Sequence, residues 1–404
     1  MTDKQADDLV FVGGARTAMA EYEGTPGGGA FKGVSAIDLG VHAVKGALER
    51  SGVSPEAVDH VVMGNVLQSS ADALYGARHV GLKAGIPEHV PGLTVNRLCG
   101  SGIQAALSAA YQITAGDSEV VVAGGMENMS QAPFVVRCIR SGTRFGVPMQ
   151  FEDSLLASLT DPVAELNMAQ TAEKVAAENE ITREAQDEFA QRSHELGAKA
   201  VADGLFKDEI VPVEVGRGKR ARTVDTDDHI KPDSTLEGLS QLRAAFGEDG
   251  TVTAGNASGI VDAAAALVLT TRARAEAEGW TPLSRIVSWG VTGVDPTRMG
   301  IGPVSAIRQA CEKAGMGVAD VDLVEINEAF AAQYLACEKL LELDRERVNV
   351  NGGAVSIGHP LGATGARLLL TLTLEMRRRE VATGVASACI GGGQGIAMLI
   401  GRED

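Results

Sequence analysis

The sequence is poor in aromatic residues and in cysteine, and it contains no long apolar run. Aromatic residues make up 4% of its 404 residues, so the core must be built from smaller aliphatic side chains. No stretch approaches the roughly 18 consecutive apolar residues that a membrane-spanning helix needs. The five cysteines are scattered and form no Cys-x-x-Cys pair, which disfavours a zinc site and a disulfide framework. We therefore expect no bound metal.

Positive charge is also in deficit, because 36 Lys and Arg residues stand against 53 Asp and Glu residues and the formal net charge is −17. That charge disfavours binding to nucleic acid or to an anionic membrane surface. Residues 1–8 are polar and acidic, unlike a signal peptide or an Arg-rich transit peptide, and we expect a cytoplasmic location. A chain of this length exceeds one ordinary core and predicts two or more domains.

An internal duplication shows how the chain is organised. Residues 47–61 and 310–324 align without a gap, 263 positions apart, and six of the aligned residues are identical. Each copy has the pattern of a helix ended by glycine, a short loop and a buried strand. Two related α/β halves are therefore predicted, with a different segment between them from about residue 126 to residue 252.

Cys99 lies in the segment Asn96–Gly102, between a strand-like run and a run of strong helix formers. Peptide N–H groups at the start of a helix stabilise an anion and lower the pKa of a thiol, so Cys99 is a candidate nucleophile. Gly100 and Gly102 are expected to leave room there for a substrate. The alternative is a buried cysteine that packs as a small hydrophobe, and this segment alone does not separate the two interpretations.

Three polar residues of the second half occupy similar strand-to-turn positions. His359 lies in a Gly-rich turn before a helix predicted over 364–379, and Cys389 opens the run Cys389–Gly395 after a strand. Asn327 follows another strand, at the edge where open α/β sheets gather ligands. If the halves pack face to face, these residues converge with Cys99. Two thiols with a histidine and amide donors, without a metal, indicate acyl transfer through a thioester with proton shuttling.

Nearly the whole chain resembles the thiolase family. The segments that carry the resemblance are Asn96–Gly102, Gly124–Ser130, Gly255–Gly259, Asn327–Ala331, Gly358–Gly365 and Cys389–Gly395. Residues 64–70, 77–82 and 153–161 are most similar to the mitochondrial-type 3-ketoacyl-CoA thiolases. The resemblance implies the α/β thiolase fold, with two duplicated halves packed as a five-layered α-β-α-β-α sandwich and an inserted loop domain. It also implies an amino-terminal domain over 1–280, including the insertion at about 126–252, and a carboxy-terminal domain over 281–404.

The resemblance assigns a catalytic role to each matching residue. Cys99 would attack the 3-keto carbon and hold the shortened acyl group as a thioester. His359 would help to form the Cys99 thiolate and, with a water held by Asn327, would bind the enolate oxygen of the departing acetyl-CoA. Cys389 would protonate that carbanion and then deprotonate the incoming CoA. The backbone N–H groups of Cys99 and Gly391 would form a second oxyanion hole.

Other matching positions are expected to bind the substrate. The residues expected to contact CoA are Lys231, Ser234 and Ser258, and those expected to line the pantetheine and acyl channel are Met168, Phe246 and Met299. CoA and acyl-CoA are expected as substrates, with no resident cofactor. The resemblance also implies a homo-oligomer, either a dimer or a tetramer, with a subunit contact from residues 126–150.

Two branches of the family remain open from the sequence. Acetoacetyl-CoA thiolases carry a His beside the Met that matches Met168, whereas this chain has Asn167. The difference favours thiolytic cleavage of longer 3-ketoacyl-CoA, as in fatty acid β-oxidation, over condensation of two acetyl-CoA. A CoA-binding protein without catalysis would give the catalytic residues no reason to occur together. A β-ketoacyl synthase would lack the second thiol, Cys389.

Overall fold

The computed structural model describes residues 8–245 and 249–403. The helices, in chain order, are α1 (Ala36–Ser51), α2 (Gly76–Ala84), α3 (Ser101–Ala115), α4 (Ser154–Ser158), α5 (Met168–Glu178), α6 (Arg183–Ala202), α7 (Leu236–Ser240), α8 (Arg272–Glu278), α9 (Gly302–Lys313), α10 (Ala331–Leu341), α11 (Ala354–Ile357) and α12 (Leu361–Arg379). Among the described residues, no helix is both long enough and apolar enough to cross a membrane.

The strands, in chain order, are β1 (Leu9–Arg16), β2 (Ala20–Glu21), β3 (His60–Gly64), β4 (Gly92–Val95), β5 (Val120–Glu127), β6 (Phe134–Val135), β7 (Glu152–Asp153), β8 (Thr160–Asp161), β9 (Leu166–Asn167), β10 (Val213–Val215), β11 (Arg222–Val224), β12 (Val261–Thr271), β13 (Ser284–Gly293), β14 (Leu323–Ile326), β15 (Thr383–Ile390) and β16 (Gln394–Arg402). The main path of strands runs β14-β15-β16-β13-β1-β12-β5-β3-β4. A short pairing of β1 with β13 joins the strands of the two halves.

The predicted duplication is present in the structure. An offset of 263 residues carries β5 onto β15 from end to end. The same offset carries β3 onto β14 to within a residue. Both halves also share a parallel pairing at this place, β3 with β5 and β14 with β15. The helix before each strand is followed by a glycine with positive φ, Gly52 in one copy and Gly315 in the other.

Helices and strands alternate in five layers, as the resemblance implied. Helices α1 and α2 cover the outer face of the first half, and α9 and α10 cover the outer face of the second. Helices α3 and α12 pack against each other between the two sets of strands and share a core with both. The α/β fold class is therefore confirmed, while the division of the chain near residue 280 stays a prediction.

The segment between the halves is built largely of short elements. It contains α4 to α7 and three two-stranded pairings, β6 with β7, β8 with β9 and β10 with β11. Its longest helix, α6, begins after Thr182, whose hydroxyl accepts a hydrogen bond from the N–H of Ala185. Contacts of α5 with α10 and of α6 with α11 hold this segment against the second half.

The two central helices approach so closely that no side chain fits between them. A Cβ on Gly102 would overlap the N atom of Ala366 and would lie 2.9 Å from the carbonyl carbon of Gly365. A Cβ on Gly365 would likewise overlap the start of α3. A Cβ on Gly100 would meet Ile390 at 2.6 Å. The expectation that Gly100 and Gly102 leave room for a substrate is wrong, because both face the second half of the protein.

We expect Gly102→Ala to lower the free energy of unfolding by about 3 kcal/mol, because an added methyl group forces the two helices apart. Gly33→Ala is the control, since a Cβ there would have no atom of the described residues within 4 Å apart from its chain neighbours. Its effect should stay below about 0.5 kcal/mol. Urea denaturation measures both values, and equal effects would contradict the tight contact.

Candidate active site

Cys99 lies in a single 3-10 turn, Leu98–Gly100, which leads directly into α3. The residue before it, Leu98, has a φ of +46°, in the left-handed region that side chains rarely adopt. The side chain of Asn96 stabilises this turn by accepting a hydrogen bond from the N–H of Leu98 at 3.0 Å. Backbone strain of this kind is found mainly where function needs a side chain in one orientation.

The Cys99 thiol is only partly exposed and packs beside Leu67, Met129 and Leu361. Burial raises its pKa to about 11, although the N–H groups of Gly391 and of Cys99 itself act in the opposite direction. The negative charge of Glu127 adds to the increase. The expected lowering of the Cys99 pKa by the helix start is therefore wrong for the free protein, because desolvation outweighs the amide dipoles.

Cys389 lies near the end of β15 and is fully buried. The hairpin from β15 to β16 turns through Gly391, Gly392 and Gly393, and the last two have positive φ. Burial raises the pKa of Cys389 well above its ordinary value, and the neighbouring thiols Cys99 and Cys337 raise it further. The structure thus brings Cys99, Cys389 and the Gly391 amide together, as the sequence predicted.

His359 and Asn327 form the second part of the site. The Nδ2 atom of Asn327 lies 3.3 Å from Nε2 of His359, and Nδ1 of His359 lies 2.6 Å from the Thr364 hydroxyl. Because that hydroxyl also donates to the carbonyl of Pro360 at 3.1 Å, the network is satisfied when Nδ1 carries the proton. In this tautomer Nε2 accepts a hydrogen bond from the Asn327 amide, and it can take a proton once that amide turns away.

Burial lowers the pKa of His359 to about 3, and the positive charge of Arg367 lowers it further. The imidazole is therefore neutral throughout the physiological range. Its backbone N–H donates to the carbonyl of Gly259 at 2.9 Å, which holds the turn in place. Both the Cys99 thiol and the His359 imidazole are therefore neutral in the free protein.

Asn327 follows β14, and its N–H donates to the Ser387 carbonyl on β15 at 2.9 Å. Its side chain is fully buried, and Oδ1 has no hydrogen-bond partner among the described residues. A buried amide oxygen without a partner is costly unless it binds a ligand or a water. The side chain can therefore hold a small polar group next to His359.

Two of the predicted channel residues lie at the thiols. Met299 packs with Cys389 and Ala329, and Met168 lies against the same cluster. The sulfur of Met168 is 3.3 Å from the position that a Cβ on Gly391 would take. Both methionines therefore adjoin the second thiol. The third predicted channel residue, Phe246, lies outside the described residues.

The predicted CoA-contact residues lie at different depths. Ser258 is tied to the site, because its N–H donates to the carbonyl of Ala329 at 3.0 Å. Lys231 is exposed, and its ammonium group lies 3.2 Å from the Glu21 carboxylate. Ser234 closes a turn with Lys231 through an N–H to carbonyl hydrogen bond of 3.1 Å. These contacts place Ser258 beside the Asn327 turn and the other two residues on the surface.

Three residues that support the site were not singled out from the sequence. The Thr364 hydroxyl is hydrogen-bonded to the imidazole of His359, and the positive charge of Arg367 lowers the pKa of that imidazole. Glu127 is fully buried and accepts hydrogen bonds from the N–H groups of Leu67 and Gly362, at 2.9 and 2.8 Å. Glu127 and Thr364 lie inside the motif segments and Arg367 lies two residues beyond one of them, and this position was the only available signal. Among the described residues, no group of His, Cys, Asp and Glu is arranged to hold a metal ion.

Comparison with known proteins identifies the family. The thiolase N-terminal domain family matches residues 9–273, and the thiolase C-terminal domain family matches residues 280–402. Human mitochondrial 3-ketoacyl-CoA thiolase is 50% identical over 392 residues, which cover 97% of this chain and 98% of that protein. An acetyl-CoA acetyltransferase of Rhizobium meliloti is 47% identical over 394 residues, which cover 98% of each. The crystal structure of the human thiolase in complex with CoA has a TM-score of 0.95 at 49% identity, covering 99% of both chains.

The fold and these matches define an acyltransferase enzyme. The chain belongs to the thiolase family. One expectation is corrected by the comparison. A cytoplasmic location was expected from the acidic residues 1–8, but the relatives at 50% identity are named as mitochondrial proteins, which points away from the cytoplasm.

The raised pKa of Cys99 predicts that its alkylation by iodoacetamide keeps accelerating above pH 9, because only the thiolate reacts and its fraction grows as the pH approaches the pKa. Peptide mass spectrometry over a pH series measures the rate at this residue. The exposed Cys138, followed in the same samples, reports on the reagent. An alkylation rate at Cys99 that levels off below about pH 8 would contradict the raised pKa of this thiol.

Proposed function

We propose that the protein catalyses the CoA-dependent thiolytic cleavage of 3-ketoacyl-CoA to acetyl-CoA and a shortened acyl-CoA, through an acyl-Cys99 intermediate. The observation that carries the proposal is the meeting of two thiols, Cys99 and Cys389, at the amide of Gly391. The Asn327–His359 pair supplies the proton acceptor that a neutral thiol requires. The reaction runs in the degradative direction, as in fatty acid β-oxidation, with CoA as a substrate and no resident cofactor.

In the first step, Cys99 attacks the 3-keto carbon and its thiol proton passes to Nε2 of His359. The negative charge that develops on the keto oxygen is stabilised by the N–H groups of Cys99 and Gly391, which already point to this region. Loss of one such donor typically costs about 3 kcal/mol of transition-state stabilisation. Both donors are backbone groups, so the hole is preorganised by the turn and the hairpin that carry them.

In the second step, the bond between C2 and C3 of the substrate breaks and its electron pair passes to C2 of the departing acetyl-CoA. The protonated Nε2 of His359, with a water held on Oδ1 of Asn327, stabilises the enolate oxygen. Cys389 gives its proton to C2, which completes acetyl-CoA. Its high pKa suits this role, because a thiol that remains protonated is a ready acid for a carbanion.

In the second half-reaction, the Cys389 thiolate takes the proton of an incoming CoA thiol. The CoA thiolate attacks the Cys99 thioester, and the same two backbone N–H groups stabilise the tetrahedral intermediate. Cys99 leaves as a thiolate and recovers its proton from His359. Every proton is thereby returned, so the enzyme is regenerated without an external acid or base.

The proposal extends to the surface that would bind CoA. Ser258, which is hydrogen-bonded to the Asn327 turn, would contact the pantetheine arm, and Lys231 and Ser234 would contact the outer part of CoA. The exposed basic residues of 217–222 would attract its phosphates. The CoA complex of the human relative, at a TM-score of 0.95, supports binding of CoA by this chain.

Asn167 bears on the length of the acyl chain. Its side chain caps α5 by accepting from the N–H of Gln170, whose side chain accepts in return from the N–H of Asn167, each at 2.9 Å. The side chain is thus engaged with its own helix beside Met168. This arrangement favours longer 3-ketoacyl-CoA substrates over acetoacetyl-CoA, because position 167 carries Asn rather than the His of acetoacetyl-CoA thiolases.

We also propose that the protein is a homo-oligomer. The segment 134–163 exposes large apolar side chains, including Phe145, which is fully exposed, and Phe151, which is 69% exposed. Exposed large apolar side chains gathered in one segment favour an association site in soluble proteins. Strand β4 is the edge of the main path of strands, and its residues are largely exposed. An edge of this kind is a template for pairing with a second chain.

We expect thiolysis of 3-ketoacyl-CoA substrates longer than acetoacetyl-CoA, with the rate reduced by about 10⁴-fold or more in Cys99→Ala because the nucleophile is lost. Absorbance of the enolate form of the substrate measures the rate for each chain length. Cys311→Ala is the matched control, because this buried thiol belongs to the outer core of the second half. Activity confined to acetoacetyl-CoA would shift the assignment to the condensing branch, and no activity at any length would contradict the mechanism.

Light scattering coupled to size exclusion should give a mass of two or four times the 41.9 kDa of one chain. Phe145→Asp with Phe151→Asp should shift a tetramer toward a smaller species, because charge disfavours burial of this surface. Val201→Asp, at a partly exposed apolar position of α6, is the control and should leave the mass unchanged. A monomer in the unsubstituted protein would contradict the proposal.

A further inference from the structure

A second pair of side chains connects the same two elements as the Asn327–His359 pair. The Nη1 atom of Arg367, on α12, lies 3.3 Å from Oε2 of Glu325, on β14. The side chains are 1% and 4% exposed, so the ion pair is inside the protein. The proposed reaction does not use either residue.

The two pairs follow from the periods of the strand and the helix. Glu325 and Asn327 are two residues apart at the end of β14, and side chains two apart in a strand point to the same face. Thr364, which holds the imidazole of His359, is three residues before Arg367 on α12 and shares its face. Two contacts therefore connect the end of β14 with α12 and the turn before it. One joins the Asn327 amide to the His359 imidazole, and the other joins the Glu325 carboxylate to the Arg367 guanidinium.

The charge of Arg367 is poorly compensated. Its Nε and Nη2 atoms are buried and have no hydrogen-bond partner among the described residues, which leaves Glu325 as its ion-pair partner. The same positive charge acts on His359 and disfavours the imidazolium form. A carboxylate that neutralises Arg367 therefore makes His359 easier to protonate.

Other carboxylates affect the charge of this pair. Burial raises the pKa of Glu325 to about 8, Arg367 opposes the increase, and the charges of Glu328, Glu209 and Glu375 add to it. Glu209 accepts a hydrogen bond from Thr371 on α12 at 3.1 Å, and Glu328 is held by Ser193 and by Val355. The ionisation of Glu325 is thus set by several groups around one face of α12.

We propose that Glu325 and Arg367 are positioning residues that set both the spacing and the basicity of the Asn327–His359 pair. The ion pair holds β14 at a fixed distance from α12, so that the amide of Asn327 reaches Nε2 of His359. When Glu325 is ionised, it offsets the charge of Arg367 and allows His359 to accept the proton of Cys99. The inference rests on the proposed function for its role in catalysis, but its effect on Cys99 can be measured without substrate.

The test compares Glu325→Gln with the unsubstituted protein in thiolysis and in alkylation of Cys99. The substitution keeps the shape and the acceptor oxygen but leaves the charge of Arg367 without a counter-charge. Above about pH 8, where Glu325 is ionised, we expect kcat to fall about tenfold, as one pKa unit of His359 basicity implies, while KM changes less than about twofold. The rate of Cys99 alkylation should instead rise, because only the thiolate reacts and an uncompensated cation in the site stabilises it, whereas a purely structural loss would leave the pH profile unchanged.

Glu375→Gln is the matched control. Glu375 is a buried carboxylate on the same helix, eight residues further along, and it is paired with Arg378 and Arg379. Its loss removes a buried charge from α12 at a distance of about 12 Å from Arg367, given a rise of 1.5 Å per residue. Its loss also removes a charge that raises the pKa of Glu325, which favours the ionised carboxylate, so we expect kcat not to fall even where the thermal midpoint falls as much as for Glu325→Gln.

A double variant separates charge from structure. Glu325→Gln with Arg367→Gln removes both charges, so we expect it to be faster than Glu325→Gln alone, because no uncompensated cation remains beside His359. If the double variant does not fold, the comparison of Glu325→Gln with Glu375→Gln still tests whether Glu325 is a positioning residue.

Equal losses of kcat in Glu325→Gln and Glu375→Gln, or an unchanged alkylation profile in Glu325→Gln, would overturn the proposal. An unsubstituted protein without thiolysis would contradict the proposed function instead. In that case the alkylation of Cys99 alone tests the positioning role, since it requires no acyl-CoA.

Discussion

The close contact of α3 with α12 is the constraint on which the rest of the structure depends. Gly102 and Gly365 face each other without side chains, and a Cβ on either would overlap the backbone of the other helix. Each helix starts at a catalytic turn, since Cys99 precedes α3 and His359 precedes α12. The backbone contact of the two helices therefore fixes the turn that carries Cys99 relative to the turn that carries His359, and each half by itself supplies only one of these turns.

Burial in that contact determines the chemistry of the site. The thiol of Cys99 and the imidazole of His359 both remain neutral, because removal from water disfavours the charged form of each. Proton transfer must then accompany attack, and its product is stabilised by amide dipoles and by the charges behind the imidazole. The ion pair of Glu325 and Arg367 supplies the charges behind the imidazole. For this reason a buried pair that does not touch the substrate affects the proton transfer to His359.

Much of the site could be predicted from local sequence. The run around Cys99, the Gly-rich turn of His359 and the thiol of Cys389 each combine a reactive side chain with residues that shape a turn. The structure brings Cys99 and Cys389 together and places Asn327 within hydrogen-bond distance of His359. Glu127 and Arg367 were not recognised, because a buried charged residue in a motif has no local signature that separates it from a surface charge.

By itself, the sequence determined the two halves and the turns that carry the candidate catalytic residues, because periodicity and turn chemistry are properties of neighbours along the chain. It also predicted the wrong pKa direction for Cys99 and the wrong role for Gly102. Only the tertiary structure decided these, since desolvation and close approach depend on which atoms of the other half lie opposite. Those atoms are up to about three hundred residues away in the chain, as Cys99 and Gly391 are, and no local pattern contains them.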